Sequence, residues 1–394
     1  MPKSTDMRTI LELQKRLKTE TSFRRKYPNC KENDDTIHLL YVSPCLDATG
    51  YYRAITPALE LNKTASHTAI ITKIETFDFN KRFEDYENLI DEQLLYWADY
   101  IIFPVIFSDV DFFIKAIRVL RPDVQLVMDV DKNYTAIPQS HTMSRKIGTR
   151  DKEQLLSNMI SMDIVTTATK PLSNFYKKLL LQNFPNHTTH VVQLPSLVSR
   201  LGYEEIPPLK RNDSQIIRIG ILGSKSQLSD LLVLKELVAK TKEVLKEGVQ
   251  FVCYGWNGQD IQGELVLKGL AVEYHKPVAF ENHFKTLNDL ALDIVLLPSE
   301  KNRFSQCEPY TTLLECAVYG IPAIASVYHP AKQVLKEGET GLLAETSDDW
   351  VKSILRLVKD KALREQMGKN ALKSIWMEQH FTSRQLQLFQ DLFI

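Results

Sequence analysis

The chain has 394 residues, 44% apolar and 25% charged, the balance of a globular protein with room for two domains. Lysine plus arginine equals aspartate plus glutamate at 49 each, so the formal net charge is zero and no global field recruits nucleic acid or anionic lipid, although a local basic patch stays open. Five scattered cysteines (Cys30, Cys45, Cys253, Cys307 and Cys316) form no C-x-x-C pair, which argues against zinc and redox motifs and suits reduced thiols in a cytoplasmic protein.

Apolar spacing at Ile10, Leu11, Leu13 and Leu17 predicts a helix within Thr9–Arg25, part of a helical extension over residues 1–36. Continuous apolar runs then read as buried parallel strands at Ile37–Val42, Ala69–Ile74, Tyr100–Pro104, Gln125–Val130, Ile164–Thr167 and His190–Leu194. Helical patterns at Ala54–Leu61, Tyr86–Trp97 and Val110–Leu120 alternate with them, so residues 37–198 predict a first α/β domain. A Pro- and charge-rich stretch marks a linker at 199–214. The alternation restarts with strands at Ile216–Leu222, Val249–Tyr254, Asp293–Leu297 and Ile321–Ala325 and helices at Leu228–Leu245, Trp350–Val358 and Lys361–Trp376, giving a second domain over 215–376. The amphipathic segment 377–394 is expected to return to the first domain. The fold class is therefore α/β, two Rossmann-like doubly wound domains facing a central cleft, with ligands beyond the carboxyl ends of the strands.

The charged N-terminus, MPKSTDMRTILELQKRLK, lacks the apolar core of a signal peptide, and the longest apolar runs are too short to span a bilayer. A soluble protein without a transmembrane segment is expected, with contact to a membrane surface left open.

Phe304–Ser326, FSQCEPYTTLLECAVYGIPAIAS, carries the most chemistry. Pro309 suits a first helical turn, the amides of Tyr310 and Thr311 would then point out of the helix start toward an anion, and Glu315 lies one turn deeper on the face of Thr311. An anion seat with a carboxylate below it can hold the diphosphate and ribose of a nucleotide-sugar; the alternative is an ordinary helix with an exposed glutamate. Gly223-Ser224-Lys225-Ser226-Gln227 offers a glycine turn, hydroxyls and a cation before a helix, either a phosphate loop or a serine-capped helix, with neither Walker nor G-x-G-x-x-G spacing. Gly50 marks a close backbone approach to a ligand or a plain turn. Arg53 reads as an anion partner or a solvated residue, and Tyr51 and Tyr52 as packing or sugar-stacking rings. Asp129 and Asp131 turn to the same side of a strand end and can bind sugar hydroxyls or a metal, or cap nearby amides. The cations Lys301 and Arg303 flank the anion seat or line a surface loop. His38, His141, His275, His283 and His329 are scattered and read as structural. G-x-S-x-G and H-E-x-x-H are absent, so hydrolase readings have no anchor.

With those residues in view, the chain resembles the GT-B glycosyltransferases, specifically the retaining family 4 group in its bacterial and phage subset. FSQCEPYTTLLECAVYGIPAIAS with EGETGLLAE looks like that family's donor segment, RIGILGSKSQLSDL like the opening of its donor domain, and GYYRAITPALEL and VMDVDKNY like stretches of the subset's N-terminal half. The resemblance implies a nucleotide-diphosphate sugar held by the C-terminal domain and an acceptor held by the N-terminal one, with retention of configuration and no metal or other cofactor. It assigns Glu315 to the ribose, Gly223, Ser224, Lys225, Tyr310, Thr311 and Thr312 to the donor, and Gly50 to the neighbourhood of the transferred sugar. Gly50, Lys225 and Arg303 are the expected catalytic positions, and Tyr51, Arg53, Asp129 and Asp131 the expected acceptor contacts. The family's first glutamate is replaced by Cys307, eight positions before Glu315, and the subset's lysine by Glu308, so that Lys301 or Arg303 supplies the charge. The expected activity is sugar transfer in bacterial surface glycan synthesis, to a glycan, lipid-linked or nucleic-acid acceptor. Its alternatives are a phage-type DNA-modifying glycosyltransferase and a non-catalytic nucleotide-sugar-binding protein.

Overall fold

The computed structural model describes residues 7–31, 35–74, 90–203, 215–223, 228–234, 248–255 and 272–394. They fall into two compact units. The first comprises Met7–Thr135, Lys146–Leu201 and Phe381–Ile394; the second comprises Ala136–Arg145 and Gly202–His380.

The first unit is built on β1 (Ile37–Tyr41), β2 (His67–Ile71), β3 (Tyr100–Phe103), β4 (Gln125–Val130), β5 (Ile164–Thr167) and β6 (His190–Gln193). All neighbours pair in parallel, in the order β2-β1-β3-β4-β5-β6. Leu39, Leu40 and Tyr41 register with Tyr100, Ile101 and Ile102, which places the change of winding direction between β1 and β3. Helices cover the sheet because its strands are apolar on both faces. Leu39, Leu40, Phe103 and Tyr176 are fully buried, each contributing about 1.5–3 kcal/mol of apolar burial.

The second unit repeats the plan with β7 (Ile217–Leu222), β8 (Val249–Tyr254), β9 (Val272–His275), β10 (Ile294–Leu297), β11 (Ala323–Ser326) and β12 (Gly341–Ala344). The order is β12-β11-β10-β7-β8-β9, again all parallel, with the switch point between β7 and β10. Its core gathers Ile219, Phe251, Ile294, Leu296 and Ile324 from the strands and Trp350, Ile354 and Leu357 from the helix Ser347–Lys359.

The N-terminal helix is shorter than the apolar spacing suggests. It spans Arg8–Thr19 and ends where Glu20 turns extended, and a separate turn of helix follows at Phe23–Lys26. The helix after β1 is longer. It runs in three consecutive pieces, Ala48–Gly50, a π-turn at Tyr51–Ile55, and Thr56–Leu61. The Thr56 amide reaches back five residues to the Tyr51 carbonyl, and the Thr56 hydroxyl joins it at 2.8 Å. This widened turn precedes Pro57, which has no N–H for the normal ladder. Of the segment Tyr86–Trp97 only the helix Glu92–Trp97 lies within the described residues, and of Leu228–Leu245 only the helical stretch Leu228–Leu234. The edge strands β9 and β12 and the helices Thr149–Ile160, Lys170–Asn183 and His283–Asp289 have no counterpart in the predicted series.

Phe381–Ile394 packs within the first unit. Phe389 and Phe393 are buried, His67 Nε2 lies 2.9 Å from the Phe393 carbonyl, and the Tyr100 hydroxyl donates to the Ile394 carbonyl at 2.7 Å. None of the described helices is long and apolar enough to cross a membrane.

Candidate active site

The carboxyl edge of the second sheet brings the expected donor residues together. β7 ends at Gly223, whose N–H donates to the Tyr254 carbonyl at the end of β8. Gly255 follows with φ +93°, and a Cβ there would lie 1.8 Å from the Gly223 carbonyl. The two loops therefore approach at a distance that only glycine permits. Ser224 and Lys225 lie outside the described residues.

After β10 the chain runs through a loop that is tied across the switch point. Asp230, in the short helix after β7, accepts from the Glu300 N–H at 2.8 Å and the Ser305 hydroxyl at 3.4 Å. Asn302 accepts from the Ser305 N–H at 2.7 Å and donates to Glu300 at 2.9 Å. Burial first, and then the nearby Glu300 charge, push the Asp230 carboxyl up to about 6. The fastened loop holds Lys301 and Arg303 at the surface, Lys301 lying 5.1 Å from the centre of the Tyr328 ring. Cys307 is buried.

The helix that carries Glu315 starts later than Pro309. Tyr310, at φ −103° and ψ 31°, is its non-helical cap, and the helix spans Thr311–Val318. The Tyr310 carbonyl accepts from Leu313 and Leu314, and its ring is buried. The outward amides of the first turn are therefore those of Thr311 and Thr312, where the helix dipole favours an anion. Gly320, at φ +66°, ends the element beyond Tyr319.

Glu315 is not an exposed helix residue. It is 4% exposed, and its Oε2 lies 3.0 Å from His283 Nε2. His283 Nδ1 lies 3.1 Å from the Tyr254 hydroxyl, and the ring stacks with Tyr254 and Phe280. Burial works against the imidazolium, but the Glu315 charge and hydrogen bond outweigh it, so the His283 pKa is raised. Glu315 is thus linked through His283 and Tyr254 to Gly223. No spacing signal announces this link, because His283 and Glu315 stand 32 residues apart.

The expected acceptor residues also meet, but in the interior of the first unit. Asp47 caps the helix that follows β1 by accepting from the Gly50 N–H at 2.9 Å. Gly50 has ordinary helical torsions, and a Cβ would lie 1.6 Å from the Cys45 carbonyl. Its role is close packing of the helix start on its own approach loop. One turn on, Arg53 donates to both oxygens of Asp129, at 3.0 and 2.6 Å, and to the Leu194 carbonyl. Thr49 donates to Asp131 at 2.9 Å, joined by Lys132 and Tyr134, each at 2.7 Å. Positions four apart on a helix and two apart on a strand both advance about 6–7 Å, so the two pairs match in register. Burial penalises the Asp131 charge, but Lys132, Tyr134 and Thr49 prevail and its pKa is lowered.

The expectation that Tyr51, Arg53, Asp129 and Asp131 touch an acceptor is corrected accordingly. Tyr51 is 0%, Arg53 7%, Asp129 9% and Asp131 2% exposed, and they serve as internal supports. Asp129 and Asp131 spend their oxygens on Arg53, Thr166, Thr49, Lys132 and Tyr134.

Comparison with known proteins agrees with this geometry. Residues 207–374 match the model of the glycosyl transferases group 1. N-acetyl-alpha-D-glucosaminyl L-malate synthase of Bacillus anthracis is 33% identical over 86 residues, which is 21% of either chain, so the match spans about a fifth of that relative. Among solved structures, sucrose-phosphate synthase from Thermosynechococcus elongatus superposes with TM-score 0.58 at 12% identity, over 91% of this chain and 99% of that one. A glycosyltransferase from Rickettsia africae gives 0.59 at 15% identity, over 91% and 98%. Anabaena HepE, solved with UDP and glucose, gives 0.57 at 13% identity, over 90% and 99%. At such identities the likeness is one of fold.

Proposed function

Since the chain has the GT-B fold and its residues 207–374 belong to the glycosyl transferases group 1, we propose that this protein moves a sugar from a nucleotide-diphosphate sugar to an acceptor hydroxyl, with retention of configuration and without a metal, in the manner of the family 4 enzymes. One observation carries the reading: the amides of Thr311 and Thr312 open a helix at the sheet's carboxyl edge, and the buried carboxylate of Glu315 stands one turn below them. The diphosphate lies on the amides and the ribose hydroxyls donate to Glu315. Arg303, exposed on the fastened loop, neutralises the leaving diphosphate, an electrostatic contribution typically worth about 3–4 kcal/mol of barrier. The acceptor hydroxyl attacks from the face the phosphate leaves, and a phosphate oxygen takes its proton, so no protein nucleophile is needed. The acceptor belongs to the first unit, and bacterial surface glycan synthesis, as a cytoplasmic step, is the setting. The UDP bound by HepE, by its title, makes uridine nucleotides the first donors to try.

A thermal-shift screen of UDP, GDP, ADP and their sugars tests the reading, since a ligand of the native form raises Tm. UDP or another nucleotide should stabilise the wild-type protein and fail to stabilise Glu315→Ala. Equal stabilisation of both would remove Glu315 from the donor site.

A further inference from the structure

We infer that His283 is the positioning residue of the ribose-binding carboxylate, and that its charge couples nucleotide affinity to pH. The inference rests on the assignment of Glu315 to the ribose. Its basis is a line of three side chains from separate elements: Glu315 in the helix Thr311–Val318, His283 at the start of the helix His283–Asp289, and Tyr254 at the end of β8.

The chemistry of that line is asymmetric. Nε2 faces a carboxylate oxygen at 3.0 Å, which accepts only, so Nε2 carries a proton whether the ring is neutral or charged. Nδ1 faces the Tyr254 hydroxyl at 3.1 Å, which can donate to a bare nitrogen or accept from a protonated one. Both protonation states therefore keep both hydrogen bonds, and the ring need not move to titrate. Stacking with Tyr254 and Phe280, with ring centres 5.5 and 5.6 Å away, holds it further. What changes with pH is one unit of charge beside Glu315.

The titratable groups facing the ring are few. Burial pushes the Tyr254 hydroxyl up to about 12, and it lifts the Cys316 thiol, beside Glu315, well above its ordinary value, so both stay neutral near pH 7. Glu281 and Lys285, on the ring's own segment, are exposed to solvent. Glu315 is thus the partner that governs His283, and it favours the imidazolium. An anionic diphosphate bound near the start of the Glu315 helix gains from that extra positive charge. Affinity falls as the pH rises and the ring loses its proton.

The test is titration calorimetry of UDP and of GDP on the full chain at pH 6, 7, 8 and 9, for the wild type, His283→Gln, His283→Ala and Glu315→Ala. Comparing variants at each pH cancels the titration of the nucleotide itself. Glutamine keeps a donor toward Glu315 but cannot take up charge. The wild-type to His283→Gln affinity ratio should fall about tenfold between pH 6 and pH 9, and His283→Ala should bind about tenfold more weakly than His283→Gln throughout. A constant ratio overturns the inference, as does equal binding by His283→Ala and His283→Gln. If His283→Ala does not fold, the wild-type and His283→Gln profiles decide. Lost binding in Glu315→Ala with a constant ratio removes only the role of His283. Failure of the wild type to bind either nucleotide, or undiminished binding by Glu315→Ala, removes the ribose assignment and this inference with it.

Discussion

Arg53 reaches Asp129 with two nitrogens, Nε at 3.0 Å and Nη2 at 2.6 Å, and both side chains are more than nine-tenths buried. Removing one partner leaves the other charge stranded. Asp129→Asn should therefore destabilise the first unit by about 3–5 kcal/mol, whereas the double change Arg53→Met with Asp129→Leu should cost much less. Urea unfolding of the variants checks this; a single substitution costing under about 1 kcal/mol would mean the ion pair does not close this part of the core.

Gly50→Ala should destabilise the same unit by roughly 1–3 kcal/mol, the usual effect of overpacking. The new methyl would fall 1.6 Å from the Cys45 carbonyl, a backbone atom that cannot swing aside as a side chain would. The same protein should bind nucleotide like the wild type, because Gly50 is in the first unit. A variant with unchanged Tm would show that the approach loop shifts freely.

Glu315→Ala should weaken nucleotide binding by about 1.5–3 kcal/mol, the range for hydrogen bonds to a charged group, or roughly ten- to a hundredfold. Glu315→Gln should fall in between, since an amide oxygen still accepts from a hydroxyl. Calorimetry with UDP gives the order of the three proteins, and any other order counts against the ribose contact.

Asp230 should leave a mark on stability against pH. Its folded pKa of about 6 exceeds the ordinary 3.8, so between those values the folded chain binds more protons than the unfolded one. Stability then falls as pH rises through that window, by about 3 kcal/mol for a shift of this size. Asp230→Asn keeps an oxygen for the Glu300 amide and loses the titration. Denaturant unfolding at pH 4 to 7 should show the variant gaining on the wild type as pH rises; parallel curves would mean the carboxyl is not held in the uncharged form.

The inner strands are legible because parallel sheets bury both faces. Ile294–Leu297 is an unbroken apolar run and is a strand at those positions. The edges are less so: Val272–His275 is half-exposed and polar at alternate positions, and Gly341–Ala344 is four residues long. At the site, the helix–glycine–strand plan around Glu315 is readable from local chemistry, since caps and stops act within a turn. The cap falls on Tyr310 rather than before Pro309 because the torsions of one residue decide it. The buried pairs are not readable. Arg53 and Asp129 stand 76 residues apart, and what makes them partners is the packing of a helix on a strand. Burial also reverses the meaning of Asp129 and Asp131, from ligands in waiting to satisfied acceptors.

The wide turn at Tyr51–Ile55 makes the length of its stretch of chain hard to alter. Dropping one residue there would restore an ordinary α-helical winding and swing everything downstream by about 100°. Ala58 and Leu61, now wholly enclosed, would face new surroundings, and Glu60 would lose the Ser199 hydroxyl it holds at 2.5 Å. Length changes in this half of the molecule should survive only after Asn62, where the helix is over and a shift in phase no longer matters.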